Sequence, residues 1–269
     1  MGKIYGSYRI IGTVGKVRHY KMNGGEEIYV AESGGANKNL ILNNPAFAMT
    51  RKHMAEMTPR SQLASQVKRK LGMWSITIVN RYLIGSINAA LRVAQKRDDG
   101  DIGCRSIYLS RCRDVLNIPI YYWYKPLRDI MKCPYSVETS LDRKSVTVKV
   151  ENLIPREQIK PPIEATHFQI CLCLGVVCDI VYNAVNNNFS NVYGGNFETN
   201  SMKEFESEWI PINAGALGDV SFTVKLPEDY VLEEDMTVLR TFGIVFGKMI
   251  TKVEPLKRNT GSIEFLGAV

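Results

Sequence analysis

The pattern of apolar and polar positions changes twice along the chain. Residues 3–32 carry β-branched and aromatic side chains between glycines, which is typical of short strands. Asn23-Gly24-Gly25 predicts a hairpin turn, because these residues tolerate positive φ. The flanking runs 17–22 and 26–31 are therefore predicted to pair antiparallel, and residues 33–39 are predicted to be a flexible connector.

The second part of the chain has helical spacing. Asn44 before Pro45 predicts a helix start, with Asn44 as N-cap, and Thr58-Pro59 predicts its end. Residues 61–96 predict one long helix, or two helices broken near Gly72. A stripe of apolar residues at spacings of three and four is predicted to be its buried face: Ile76, Val79, Leu83, Ile87, Ala90 and Leu91.

From about Pro134 the period becomes two. Val146, Val148 and Val150 alternate with polar residues, and residues 167–180 form a near-continuous apolar run. Several short strands without intervening helices predict an antiparallel β-sandwich of the immunoglobulin-like type. The predicted fold class is α+β: an N-terminal β-hairpin and basic helical segment in residues 1–133, then a β-sandwich domain in residues 134–269.

Charge follows the same division. Residues 1–133 contain 22 Lys and Arg against 9 Asp and Glu, whereas residues 134–269 contain 12 against 18. The net charge of +7 is therefore an average over two unlike parts. This asymmetry indicates a basic region that meets either a polyanion or an acidic protein surface.

Most of the basic residues fall on the predicted helices. The candidate residues for binding a partner or a polyanion are Arg51, Lys52, Arg60, Lys68, Arg69, Lys70, Arg81 and Arg92. On a helix these positions form only a partial common face. Three interpretations stay open: a solvated helical surface, a binding site for nucleic acid, and a docking site for an acidic protein.

No motif identifies a chemical reaction, so we expect a protein that is not an enzyme and has no cofactor. The three histidines lie near no local nucleophile signature, and the glycine patterns lack the lysine of a phosphate-binding loop. Cys171, Cys173 and Cys178 lack the spacing of a zinc site. We expect these cysteines to pack in the core, with Cys171 and Cys173 on one face of a strand and Cys178 on the other, unless a bulge at Gly175 resets the position of Cys178.

Two acidic clusters and one aromatic run have competing interpretations. Glu204, Glu206 and Glu208 would share a face of a strand and favour a basic partner surface, either the first half of this chain or a neighbouring copy. A second acidic cluster spans residues 228–235 and lacks the spacing of a calcium-binding EF-hand. The aromatic run 121–124 fits base stacking, an interface anchor or core packing.

The sequence also bears on location. The first residues have no apolar segment typical of an export signal, and no apolar run reaches the roughly 18 residues that span a bilayer. The chain is too long to need disulfides for stability. We therefore expect no membrane association and a reducing compartment, the cytoplasm, or a virion if the gene is phage-encoded.

Several segments resemble a family of uncharacterised proteins common in Bacteroidetes bacteria and their mobile elements. The similar segments are residues 12–21, residues 39–51 with Asn44-Pro45-Ala46-Phe47, residues 165–168 and residues 243–246. The resemblance implies a shared architecture and brings no known activity, so no catalytic residue is carried over.

These observations lead to two functional hypotheses. The first is a non-enzymatic structural or assembly protein, a homo-oligomer or a component with a protein partner, whose basic and acidic parts make the contacts between subunits, as in a phage-like particle or a large bacterial assembly. The alternative is a nucleic-acid-binding protein that uses the basic helical segment.

Overall fold

The computed structural model describes residues 10–22, 26–32, 34–72, 83–116, 126–194, 201–256 and 261–269, and the backbone of residues 2–4. It contains both helices and antiparallel sheets, which confirms the α+β class. Among these residues, no helix combines the length and the apolar character that crossing a membrane requires.

The described helices and strands are as follows. The α-helices are α1 (Lys38–Asn43), α2 (Ala48–Arg69), α3 (Leu83–Lys96), α4 (Leu127–Ile130) and α5 (Pro155–Gln158). Short 3-10 turns cover Pro45–Phe47, Leu109–Arg111 and Arg113–Leu116. The first strands are β1 (Gly2–Ile4), β2 (Gly12–Val14), β3 (Val17–Lys21) and β4 (Ile28–Glu32). The later strands are β5 (Tyr135–Thr139), β6 (Ser145–Leu153), β7 (His167–Val177), β8 (Ile180–Asn183), β9 (Asn188–Asn191), β10 (Met202–Glu206), β11 (Ile210–Pro211), β12 (Gly218–Lys225), β13 (Thr237–Met249), β14 (Val253–Pro255) and β15 (Gly261–Ala268).

The chain forms two compact units, residues 1–52 and residues 53–269, rather than dividing between residues 133 and 134. Helices α2 and α3 share one hydrophobic core with strands β7, β13 and β15. Leu63 and Leu91 from the helices and Cys173 from the sheet are all fully buried there. Because the helical segment covers the sheet, the change in sequence period does not mark a domain boundary.

In the N-terminal unit, the strand order is β1-β4-β3-β2, with every pair antiparallel. The predicted pairing of residues 17–22 with 26–31 is confirmed, since Val17 lies opposite Glu32 and Lys21 opposite Ile28. The predicted turn, residues 23–25, lies outside the described residues. Within the predicted connector, Asn37 caps helix α1, which begins at Lys38.

The predicted start of the next helix is confirmed and its predicted end is wrong. The Asn44 side chain accepts a hydrogen bond from the N–H of Ala46, and Pro45 begins the turn that leads into α2. Helix α2 then continues through Pro59 to Arg69. An interior proline costs a helix about 3 kcal/mol. Here Pro59 is buried on the same helix as Leu63, so packing offsets the lost hydrogen bond.

In the larger unit, two antiparallel sheets pack face to face. The six-stranded sheet follows the order β10-β7-β13-β14, with β11 on β7 and β15 on β13, and the three-stranded sheet has the order β12-β6-β5. Even-numbered residues of β7 and β13 pack against the three-stranded sheet, as Leu172 and Phe242 do. Odd-numbered residues, such as Cys173 and Leu239, face the helices. Both faces of β7 are therefore covered, which explains its near-continuous apolar run.

Candidate functional site on the basic helix

The eight predicted cations do not form one surface. Arg51 and Lys52 belong to the N-terminal unit, whereas Arg60, Lys68, Arg69, Lys70 and Arg92 belong to the larger unit. Arg81 lies outside the described residues. Lys52, Arg69 and Arg92 are exposed, and Lys68 is half-buried.

Arg51 has a structural role. Its Nη1 donates to the carbonyl oxygens of Ile41 at 2.8 Å and Asn44 at 2.9 Å. These carbonyls lie at the C-terminal end of α1, where main-chain acceptors lack helical partners. The guanidinium group of Arg51 therefore caps this helix.

Arg60 lies within the electrostatic influence of both the buried carboxylate of Glu56 and the guanidinium group of Arg92. Burial lowers the pKa of Arg60, Glu56 raises it, and the charge of Arg92 lowers it. Glu56 is only 7% exposed, and its Oε1 accepts a hydrogen bond from the N–H of Gly103 at 3.1 Å. Arg105 Nε lies 3.9 Å from the same oxygen. The carboxylate balances part of the positive charge of this group, and Arg92 remains exposed to solvent.

Lys70 is not a surface cation, contrary to the prediction. It is 8% exposed, and its Nζ donates to Ser201 Oγ at 2.5 Å. The end of α2 lies directly against Gly175 of β7, where an added Cβ would be 2.6 Å from Lys70 Cβ and 2.7 Å from its carbonyl oxygen. Cys173 Sγ donates to that oxygen at 3.4 Å. Only glycine at 175 permits so close an approach.

Charges of both signs act on the thiol of Cys173. Burial raises the pKa of the Cys173 thiol, the charge of Glu204 raises it further, and Lys70 lowers it. Glu204 and Glu206 lie opposite Cys173 and Cys171 in the pairing of β10 with β7, on the side of the sheet that faces the helices. Lys70, from the first half of the chain, and Glu204, from the acidic strand, therefore both act on the Cys173 thiol.

The Lys70–Ser201 pair places an amine beside a hydroxyl, which in some enzymes activates a serine nucleophile. Ser201, however, has no exposed surface, and its carbonyl oxygen accepts a hydrogen bond from Val176 N–H at 2.8 Å. A substrate cannot reach this hydroxyl in the described structure. The pair therefore joins the end of α2 to the residue that precedes β10.

The cysteines lie where their spacing predicts. Cys171 and Cys173 face the helices, and Cys178 faces the three-stranded sheet. All six cysteines are free thiols, and burial raises the pKa of Cys171 and Cys133. Among the described residues, no group of three His, Cys, Asp or Glu side chains is arranged to hold a metal ion.

A cleft of about 660 Å³ lies beside the C-terminal half of α2. One wall is the polar face of α2 and the other is the β8–β9 hairpin. The lining residues are Ser61, Gln62, Ser65, Gln66, Arg69, Ile180, Phe189, Ser190, Asn191 and Gly194. Two buried atoms of this lining, Gln66 Oε1 and Asn191 Nδ2, have no hydrogen-bond partner within the described part of the chain. Arg69 is the predicted cation that contributes to this cleft.

Two arginines hold the second acidic cluster through its main chain. Arg113 Nη2 donates to the carbonyl oxygen of Glu234 at 2.9 Å. Arg143 donates to the carbonyl oxygens of Glu233 at 2.7 Å and Met236 at 2.9 Å. The acidic side chains of residues 233 and 234 stay exposed.

Sequence reasoning missed Gln66 and Asn191, because neither belongs to a motif and their proximity depends on the packing of α2 against a distant hairpin. It also missed Arg113 and Arg143. Their acceptors are main-chain oxygens, which every residue has, so the sequence does not indicate where they lie. The aromatic run 121–124 lies outside the described residues.

Comparisons with protein-family models, with curated proteins and with solved structures find no match to this chain.

Proposed function

We propose that the protein is a non-enzymatic structural or assembly component that associates with further copies of itself through its N-terminal unit. The supporting observation is the exposure of apolar side chains there. Among the described residues of the unit, Ile28 is the only buried one. Seven apolar residues are 40–63% exposed: Ile10, Ile11, Val14, Met22, Leu40, Leu42 and Met49.

A unit of this size buries too little surface to be stable on its own. Exposed apolar side chains of this density are typical of surfaces that another protein chain covers. Cover by a neighbouring copy would supply the apolar burial that the unit lacks, as expected of a part of a phage-like particle or a large bacterial assembly.

Charge favours a second copy as the partner. Residues 1–52 carry eight Lys and Arg against three Asp and Glu, the opposite of the balance in residues 134–269. In the described structure β2 pairs only with β3, and exposed Lys16 and Arg18 lie beside it. Among the described strands of the larger unit, β10 lies at the edge of its sheet. Exposed Glu208 follows β10, and Glu206 at its end is exposed as well. A basic edge strand of one copy is therefore matched by an acidic edge strand of the next.

Size-exclusion chromatography with light scattering, at low and high salt, tests this proposal. We expect an oligomer that dissociates as salt screens the charges. Lys16→Glu with Arg18→Glu should give a monomer, and adding Glu206→Lys with Glu208→Lys should restore the oligomer. Arg156→Glu with Lys160→Glu is the matched control, because both residues are exposed. A wild-type protein that stays monomeric at high concentration and low salt would contradict the proposal.

Nucleic-acid binding is the second candidate, and the proximity of Arg60 to Arg92 favours it. Two neighbouring guanidinium groups attract a phosphate, with an affinity that falls steeply as salt rises. The ratio of absorbance at 260 and 280 nm, recorded in the same chromatography, detects bound nucleic acid. Arg92→Gln should then weaken binding to a DNA or RNA duplex, and no binding at low salt would remove this candidate.

A further inference from the structure

Three neighbouring side chains on the exposed side of helix α2 have the chemistry of soft metal ligands. Met54 is 53% exposed, Met57 is 57% exposed, and the side chain of His53 is 61% exposed. All three belong to α2 and to the larger unit. They are therefore accessible to an ion from solvent.

The helical repeat brings these three residues together. Successive residues of an α-helix are about 100° apart around its axis, so His53 and Met57 are separated by about 40°, and Met54 lies within about 100° of both. Side chains three or four positions apart are neighbours, with Cβ atoms about 5–6 Å from each other. Because a methionine side chain has three rotatable bonds, both sulfur atoms can reach an ion beside the imidazole without a change in the backbone.

Glu56 orients the imidazole of His53. Its Oε2 lies 3.9 Å from His53 Nδ1. The other oxygen, Oε1, accepts a hydrogen bond from the N–H of Gly103 at 3.1 Å and lies 3.9 Å from Arg105 Nε. The carboxylate is therefore held through one oxygen and presents the second to His53. A carboxylate beside one ring nitrogen favours a proton there, which leaves the lone pair of Nε2 for a metal ion.

The ligand types and the local charge decide which ion fits. Thioether sulfur is a soft ligand that selects Cu(I), and imidazole also binds copper, whereas Mg²⁺ and Ca²⁺ prefer oxygen. The carboxylate of Glu56 acts on Arg60 and lies near Arg105 as well, so its negative charge is shared among several cations. A monovalent ion needs less compensating charge than a divalent one, and the surroundings therefore favour Cu(I).

We propose that His53, Met54 and Met57 bind a Cu(I) ion, His53 through Nε2 and the two methionines through Sδ. The described residues include no group of His, Cys, Asp and Glu side chains alone that could hold a metal, so the thioethers are what create this site. Cu(I) binds as the ion present in solution, and no electron is transferred. The site lies within the larger unit and does not depend on the proposed self-association.

Methyl NMR of the full-length protein, with carbon-13 in the methionine methyl groups, tests this assignment. The protein carries Cys104→Ser, because thiols are strong ligands for soft ions and Cys104 is the one cysteine that is not buried. The probe is Ag⁺, which shares the ligand preference of Cu(I) and is stable in air. We expect one equivalent to shift the methyl signals of Met54 and Met57 and the ring signals of His53. The signal of Met249, which is 48% exposed on β13, should not move.

Three results would overturn the proposal. The first is an equal shift of the Met249 signal, which would indicate binding to any exposed methionine. The second is the absence of a shift at Met54 and Met57 in a several-fold excess of Ag⁺. The third is binding of Zn²⁺ as tight as that of Ag⁺, since thioether ligands do not favour Zn²⁺.

Leucine substitutions separate a ligand from an apolar surface residue. Met54→Leu and Met57→Leu keep the volume and the apolar character of the side chain and remove its sulfur. Each should weaken Ag⁺ binding at least about tenfold, because even the loss of an outer partner of a metal ligand costs about that much. Met249→Leu is the matched control and should bind as the wild type does.

Two further measurements complete the test. The urea midpoints of all three variants should equal that of the wild type, since these side chains are exposed, and this separates lost binding from lost folding. Competition with the chelator bicinchoninate in the absence of oxygen should rank the Cu(I) affinities in the same order as those for Ag⁺. Wild-type affinity in both Met54→Leu and Met57→Leu, or a different order for Cu(I), would contradict the proposed site.

Discussion

The two compact units bury apolar side chains to very different extents. In residues 53–269 the six-stranded sheet is covered on both faces, by a second sheet and by α2 and α3. In the described part of residues 1–52, a four-stranded sheet has Ile28 as its one buried residue. The larger unit is stabilised by two hydrophobic cores. The described part of the smaller unit has strands and helix caps but little hydrophobic core. The contrast indicates that the described part of the N-terminal unit gains little stability from apolar burial.

Amide hydrogen exchange should show the largest difference. We expect amides of β7 and β13 to exchange near the rate of global unfolding, because these strands lie between two cores. Amides of β3 and β4 should exchange orders of magnitude faster in dilute protein. Raising the concentration should slow exchange in β3 and β4 alone if self-association covers them. Equal protection of both sheets in dilute protein would remove the contrast.

The next largest difference is expected between two leucine-to-alanine substitutions, one in each unit. Leu63 on α2 is fully buried, and Leu40 on α1 is 42% exposed. Leu63→Ala should lower the free energy of unfolding by about 2–5 kcal/mol, since it leaves a cavity in the core beneath the sheet. Leu40→Ala should change it by less than about 0.5 kcal/mol. Urea titration of dilute protein measures both, and a similar loss for the two would show that Leu40 is buried by a contact in solution.

Glycine replacement tests the close contact between α2 and the sheet. Gly175→Ala would place a Cβ 2.6 Å from Lys70 Cβ and should destabilise the protein by about 1–3 kcal/mol. Gly85→Ala is the control, because nothing lies within 4 Å of its added Cβ and alanine favours the helix α3 by about 0.5–1 kcal/mol. Thermal unfolding compares the two. We expect the two substitutions to change the unfolding temperature in opposite directions. An unchanged unfolding temperature for Gly175→Ala would mean that the end of α2 can move away from the sheet at little cost.

The smallest effect concerns pH. Asp179 is buried and accepts hydrogen bonds from Ser110 N–H and Oγ. Burial raises its pKa above the ordinary 3.8, the hydrogen bonds to Ser110 lower it, and nearby Asp235 raises it. Since the pKa is higher in the folded state, the contribution of this carboxyl group is complete below 3.8 and is lost as pH rises through the folded pKa.

Asp179→Asn keeps an acceptor for the N–H of Ser110 and cannot titrate. Relative to this variant, the wild type should therefore lose stability across the acid range just above the ordinary pKa of aspartate. Urea midpoints of both proteins over that range measure the difference. Parallel pH profiles would show that Asp179 does not titrate differently on folding.

Much of the fold follows from local patterns. Alternation of Val146, Val148 and Val150 predicted a strand with one buried face, and all three residues are buried. The spacing of Leu83, Ile87 and Leu91 predicted the inner face of α3. Such periods are visible in the sequence because they repeat within one element.

The features that the sequence did not predict depend on contacts between residues far apart in the chain. The helix persists through Pro59 because tertiary packing outweighs the local preference against proline. Lys70 looks like its surface neighbours in the sequence, and it is buried because Gly175, far along the chain, admits the end of α2. The cleft likewise joins Gln66 to Asn191 across more than a hundred residues, so no local pattern indicates it.

The hydrogen bonds from Arg113 and Arg143 to the main chain of the acidic loop, residues 233–236, have a practical consequence. Both arginines bind main-chain oxygens, which every amino acid provides. Substitution of the side chains at positions 233 and 234 should therefore leave the path of the loop unchanged. The same freedom makes these two positions suitable for attaching a reporter dye, which would monitor the protein without disturbing either core.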